Sequence, residues 1–219
     1  KMGEFQEMNP QLMELQTPLE VFLRVNQEER VKDAQLIQEI CRQSQPAQLW
    51  QGAFLRLPNS KPMASFADHR SYVYQGREID RQVHLGQDLA SLERAEVPSG
   101  NAGLVVFTGP MGIYGKAVIV DHGLGLFSLY SHLSEIKVEK GQKVARGTIL
   151  GRTGATGMAG GDHLHFSLMI HGKFVNPLEW WDAHWIKDQV HRQLAPLTAA
   201  GPAAVKPAAS AAEAPQEAV

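Results

Sequence analysis

The sequence predicts a mainly β protein: a small antiparallel sheet or sandwich with a cleft, preceded by a short strand–helix segment and followed by a disordered tail. Three observations support this. From Trp50 to about Trp181, short apolar stretches recur at intervals of roughly ten residues between Gly-rich turns. Glycine is abundant, at 20 residues, while aromatic residues make up 7%, which suits many tight turns better than a helix bundle. The two ends of the chain differ in pattern from the middle. A length of 219 residues fits one domain with appendages or two small ones. The expected divisions are 1–49, 50–190 and 191–219.

In chain order, Leu19, Val21, Leu23 and Val25 alternate with Glu20, Phe22 and Arg24, the period of two of a strand. Asn26 then stands at a helix N-cap, with Glu29 three residues on as in a capping box. Val31, Ala34, Ile37, Ile40 and Cys41 follow at helical spacing as one apolar face, and Pro46 stops the helix. Cys41 reads as a small buried hydrophobe. Ala117–Val120 and Leu126–His132 read as strands. Lys140–Gln142 and Gly147 are turns, and Ile170–Lys173 is a tight hairpin in which Gly172 can take positive φ. Trp180, Trp181 and Trp185 cap the core. From Leu194 the chain is mostly Ala, Pro and small polar residues with almost nothing to bury.

Composition narrows the function. Lys plus Arg total 21 and Asp plus Glu 23, a net charge of −2 that offers no electrostatic case for nucleic-acid binding. Cys41, the single cysteine, can make no internal disulfide and no Cys-based zinc site. No window of about 18 apolar residues supports a transmembrane helix. The first residues lack the apolar stretch of an export signal, so the chain is either cytosolic or has lost a leader.

The nine histidines carry the chemistry. On a strand, His163, His165 and Ser167 share one face, and Leu164, Phe166, Leu168 and Ile170 share the other, core-facing one. The two histidines are then held about 7 Å apart. Upstream, His84 and Asp88 stand four apart in Arg81–Asp88. Val83, Gly86 and the alternation there indicate strand and turn, and a turn can fold both side chains to one point. Imidazole nitrogen and carboxylate oxygen are both zinc ligands. His84, Asp88 and one histidine of the later pair supply the three protein ligands of a catalytic zinc site, which keeps its fourth position for water. No HExxH helix is present. His132 alternates with Ser128 and Tyr130 on what reads as the polar side of its strand, and adds a third imidazole if that strand neighbours the His163/His165 strand.

Together, His84-xxx-Asp88, Tyr130-Ser131-His132-Leu133 and His163-Leu164-His165-Phe166 resemble the lysostaphin-type (LytM-type) zinc endopeptidases that cut peptidoglycan cross-links. The resemblance covers roughly 54–177 and extends to connecting segments. These are Tyr114–Gly123 before the central histidine, Val138–Gly147 as a glycine-punctuated turn, Gly151–Gly157 as a Gly-rich loop, and the closing Asn176-Pro177. It implies a small, mostly antiparallel β peptidase domain that holds Zn2+ on His84, Asp88 and His165. It also implies His132 and His163 as non-ligand catalytic histidines, peptidoglycan stem peptides as substrate, and a periplasmic or extracellular location after removal of an export signal. The chain departs from the family pattern at Ala67-Asp68, at Lys116 and at Gly160-Gly161-Asp162, and none of these removes a ligand or a catalytic histidine. Tyr72 or Tyr74 could add a hydroxyl to the oxyanion. His69, His171, His184 and His191 match no motif, and His122 reads as a packing residue. The alternative function is a non-catalytic domain of the same fold that binds or activates another wall hydrolase. The N-terminal segment reads as a lid, a partial domain or a targeting piece.

Overall fold

The computed structural model describes residues 1–8 and 10–194, so the tail expected at 191–219 lies almost wholly outside the described residues. Its first residue, His191, closes a helical turn, Ile186–His191, and the His191 ring packs on Trp50 at 5.5 Å.

Thirteen strands form among the described residues. The first five are β1 (Lys61–Ala64), β2 (His69–Tyr74), β3 (Arg77–Val83), β4 (Gln87–Ala90) and β5 (Glu96–Pro98). Next come β6 (Gly103–Met111), β7 (Gly115–Gly123), β8 (Leu126–Leu133) and β9 (Glu135–Ile136). The last are β10 (Lys143–Val144), β11 (Ile149–Arg152), β12 (Leu164–Ile170) and β13 (Lys173–Val175). The main sheet has eight strands in the order β1-β4-β12-β8-β7-β6-β10, with β13 paired to β12. A second sheet joins β5, β11 and β9, and β2 with β3 makes a separate hairpin. All strand pairings among the described residues are antiparallel, as expected for short strands joined by tight turns. The β12–β13 turn places His171 and Gly172 at φ 49° and 76°, the positive-φ pair of a two-residue hairpin.

Both faces of the central strands are buried. Val118, Val120, Leu126, Tyr130, Leu164, Phe166 and Leu168 pack on one side with Trp50, Phe54 and Trp180. Ala117, Ile119, Phe127, Leu129 and Met169 pack on the other. That second face is covered by the N-terminal segment through Phe5, Leu12, Val21, Val25, Ile37 and Cys41.

The N-terminal segment corrects four expectations. Residues 19–25 are not a strand. They lie in helix α2 (Pro18–Arg24), which follows α1 (Met2–Met8) and continues through a π-turn, Val25–Glu29, into α3 (Arg30–Ile40). The cause is the start signal. The Thr17 hydroxyl accepts from the Glu20 N–H, the Glu20 carboxylate accepts from the Thr17 N–H at 2.9 Å, and Pro18 opens the first turn. Val21 and Val25, four apart, are the buried pair, and the apparent alternation is incidental. Asn26 caps nothing: it is fully buried inside the π-turn. The buried face of α3 is Asp33, Ile37 and Cys41, not the stripe through Val31, which is 56% exposed. The helix ends at Cys41, before Pro46 is reached.

Polar contacts fasten this segment to the sheet. Asp121 accepts from the Ser44 hydroxyl and the Gln45 N–H, both at 2.7 Å. Asp33 accepts from the Ile113 N–H at 2.8 Å, and burial raises its carboxyl to about 6 against that hydrogen bond. A carboxyl raised from 3.8 to about 6 on folding keeps its proton in the native state while the unfolded chain has lost it. Stability therefore falls as pH rises between about 4 and 6, by up to about 3 kcal/mol. Asp33→Asn keeps an acceptor for Ile113 and should flatten that segment of the melting-temperature profile. An unchanged pH slope in the variant would show that the Asp33 carboxyl is not the cause.

Candidate active site

The five residues singled out in the sequence meet in one cleft of about 270 Å³. His84 follows the end of β3, Asp88 lies on β4 and His165 on β12, where Asp88 and His165 are direct cross-strand partners. Gly86 permits the turn between His84 and Asp88. A Cβ on it would lie 2.6 Å from the His165 ring and from the Ser167 hydroxyl. Gly86→Ala should push His165 off its position and weaken the binding of a metal ion by this cluster by about 10- to 100-fold, measured by competition with a chelating dye. Wild-type affinity in that variant would sink this packing argument.

Three atoms converge. His84 Nε2 lies 2.9 Å from Asp88 Oδ1 and 3.0 Å from His165 Nδ1, which in turn is 2.9 Å from Asp88 Oδ1. The outer nitrogens fix the tautomers. His84 Nδ1 donates to the Ser65 carbonyl at 2.8 Å, leaving Nε2 without a proton. The Ser167 hydroxyl donates to the Leu85 carbonyl at 2.8 Å, so it accepts from His165 Nε2 at 2.9 Å and leaves Nδ1 bare. Burial holds His165 below the ordinary imidazole value despite the Asp88 carboxylate. Arg70 ties down the other carboxylate oxygen, Oδ2, at 3.1 Å. In the neutral tautomers that these outer bonds select, the three inner atoms present lone pairs to one point, which fits a shared cation, and these donor types suit zinc. His84, Asp88 and His165 form the metal-capable cluster among the described residues.

His132 and His163 stand beside this cluster, their rings 4.9 Å apart. Each donates Nδ1–H to a backbone carbonyl at 2.8 Å, of Thr156 and Gly161 respectively, leaving Nε2 as an acceptor. Burial, and then the charges of His165 and His163, lower His132 to about 3, which favours its neutral form near pH 7.

His132 reaches the cleft by a route that alternation does not give. Ser128 and Tyr130, expected on a polar face with it, are buried on the far side of the sheet, where the Ser128 hydroxyl bonds His122 and the Tyr130 ring packs on Phe166. Strict alternation would bury His132 with them. Instead Lys116 pairs with Leu133 and Val118 with Tyr130, so Ser131 and His132 together oppose Ala117. This β-bulge puts His132 at φ 61°, a left-handed backbone that costs a non-glycine residue energy and re-aims its side chain.

Of the two tyrosines considered, Tyr72 lines the cleft, whereas Tyr74 is 46% exposed and is not among the lining residues. Tyr114 was missed. It is nearly buried, and its ring lies 5.5 Å from that of His165. Its place just before the sharp turn at Gly115 was the available signal. His122 is a core residue, fully buried and bonded to Ala102 and Ser128.

Comparison with known proteins agrees with this geometry. Residues 82–177 match Peptidase family M23. A 96-residue stretch is 40% identical to the peptidoglycan DD-endopeptidase ShyA of Vibrio cholerae, covering 44% of this chain and 22% of that protein. The chain thus spans under a quarter of that relative's length. A Pseudomonas aeruginosa crystal structure assigned to peptidase M23 superposes with a TM-score of 0.59 at 28% identity, over 71% of this chain and 62% of the other. A zinc-containing peptidase from Vibrio cholerae superposes with a TM-score of 0.52 at 27% identity, over 59% and 40%. The stretch 82–177, which matches peptidase family M23, carries all five of these cleft residues.

Proposed function

We propose that the chain is a zinc-dependent endopeptidase that hydrolyses peptide cross-links of bacterial peptidoglycan. The observation that supports this most is the convergence, in one cleft, of three proton-free donor atoms from His84, Asp88 and His165 with two further imidazoles. In this reading His84, Asp88 and His165 hold the metal, and His132 and His163 are catalytic. Zinc bound there supplies Lewis-acid polarisation of the scissile carbonyl and a water of lowered pKa. The acceptor Nε2 of His132 or of His163 would be the atom that accepts a proton from the attacking water and returns it to the leaving amine. Their Nδ1–H bonds to backbone carbonyls hold the rings in the needed tautomer. Tyr72 and Tyr114, both lining the cleft, are the phenol donors available to a developing oxyanion.

The DD-endopeptidase name of the relative favours a D-Ala-to-diaminopimelate cross-link over a glycine bridge. Peptidoglycan lies outside the cytoplasmic membrane, so the enzyme acts in the periplasm or beyond it. No helix among the described residues is long and apolar enough to cross a membrane. The test is digestion of purified sacculi from several bacteria by the zinc-loaded protein, with the cut bond identified by mass spectrometry. Release of cross-linked dimers as monomers, abolished by chelator and restored by zinc, is the expected result. Zinc uptake without cleavage of any sacculus would favour a non-catalytic binding role instead.

A further inference from the structure

The cleft has one lining residue from the N-terminal 60 residues, Arg30. It opens α3, directly after the π-turn, where its own N–H reaches back to the Val25 carbonyl. A π-turn inserts one residue into the helix and so rotates everything after it, and such turns concentrate at functional sites. The side chain is held in place. Arg30 Nη2 donates to Asn26 Oδ1 at 2.7 Å and Nε donates to the Asn26 carbonyl at 3.2 Å. Asn26 is itself fully buried and donates to Asp80 on β3 at 2.5 Å. Both oxygens that Asn26 offers to Arg30 are neutral, so these bonds orient the guanidinium without cancelling its charge.

Beside the metal-capable cleft lies a second hollow of about 410 Å³ that shares Arg30, Arg70 and Leu85 with it. Its walls also carry Arg81 and His69, and no Asp or Glu lines it. Arg70 is anchored on Asp88, and Arg81 pairs with Glu78. Arg30 is therefore the guanidinium common to both cavities whose hydrogen bonds all go to uncharged groups. A planar, permanently charged fork held in one orientation is suited to a carboxylate. We propose that Arg30, seated by Asn26, is a substrate-recognising residue that binds a free carboxylate of the peptide whose bond lies in the adjoining cleft. The inference rests on the peptidase reading above and adds a subsite to it. It makes the N-terminal helix part of the substrate site.

The test uses zinc-loaded full-length protein and two cross-linked stem-peptide dimers, one with free carboxylates and one with the same groups amidated. Wild type should prefer the acid over the amide by about tenfold or more in kcat/KM, mostly through KM, as for a charge-assisted hydrogen bond. Arg30→Gln should bring that ratio close to one, and Arg30→Lys should retain part of it. A merely structural role would lower both activities together and leave the ratio unchanged. Binding of both peptides is followed by titration calorimetry as well, so a wild type that binds without cutting refutes the peptidase reading while still reporting on Arg30. A wild type with no acid preference, or an Arg30→Gln protein that keeps it, would overturn the inference.

Discussion

His84→Ala, Asp88→Ala and His165→Ala proteins are expected to purify with little zinc and to leave peptidoglycan uncut. His132→Ala and His163→Ala proteins should carry near-stoichiometric zinc yet hydrolyse about 10²–10⁴-fold more slowly, the usual worth of a positioned acid or base. The division follows from the geometry. The first three residues supply atoms that lie within 3.0 Å of one another. His163 Nε2 is further out, at 3.7 Å from Asp88 Oδ1, and is aimed by its bond to Gly161. Elemental analysis of the five variants alongside a turnover assay reads both quantities. Metal lost from His163→Ala and kept by His165→Ala would mean that the two roles are exchanged. Metal and activity kept in all five would refute the site.

The second large effect concerns the segment that the family match leaves out. Deleting residues 1–45 should yield a protein that does not fold to a stable native state. Six side chains of that segment, Phe5, Leu12, Val21, Val25, Ile37 and Cys41, are buried against the sheet. At about 1.5–3 kcal/mol each, their loss amounts to on the order of 10 kcal/mol, comparable with the whole stability of an ordinary domain at ~5–15 kcal/mol. Ile119, Phe127, Leu129 and Met169, all at 0% exposure in the intact chain, would face water. Solubility, a near-ultraviolet dichroism spectrum and a melting transition report the outcome. A truncated protein with a sharp, near-wild-type melt would show that the helices are an attachment and not half of the core.

Much of the site was legible because it obeys short-range rules. The turn between His84 and Asp88 follows from Gly86, and the His163–His165 pair from its alternation with Leu164 and Phe166. These rules bring His84, Asp88 and one histidine of the His163/His165 pair toward one point; the choice of His165 as third ligand and of His132 and His163 as catalytic histidines comes from the family resemblance alone. What failed was whatever depends on a partner distant in sequence. Leu19 to Val25 satisfy a strand period and a helix spacing equally well over so few residues, and the Thr17–Glu20 capping box, which decides between them, was overlooked. The continuous apolar run Ala117–Val120 marked a strand but not what covers its second face. His132 was assigned to the cleft correctly for a wrong reason, since only the bulge opposite Ala117 brings it there. Arg30 carries no local signal that separates it from other arginines, and Tyr114 only its place before the sharp turn at Gly115.

The pairing of β4 with β12 also sets when the site can first assemble. His84 and Asp88 leave the ribosome well before His165, which arrives 77 residues after Asp88. At ~5–20 residues per second that is a delay of about 4–15 s. Throughout it, His84 and Asp88 have neither the third donor nor the strand that orders them. On the peptidase reading proposed above, the site is in this way born incomplete, and its assembly waits on nearly the last strand of the sheet.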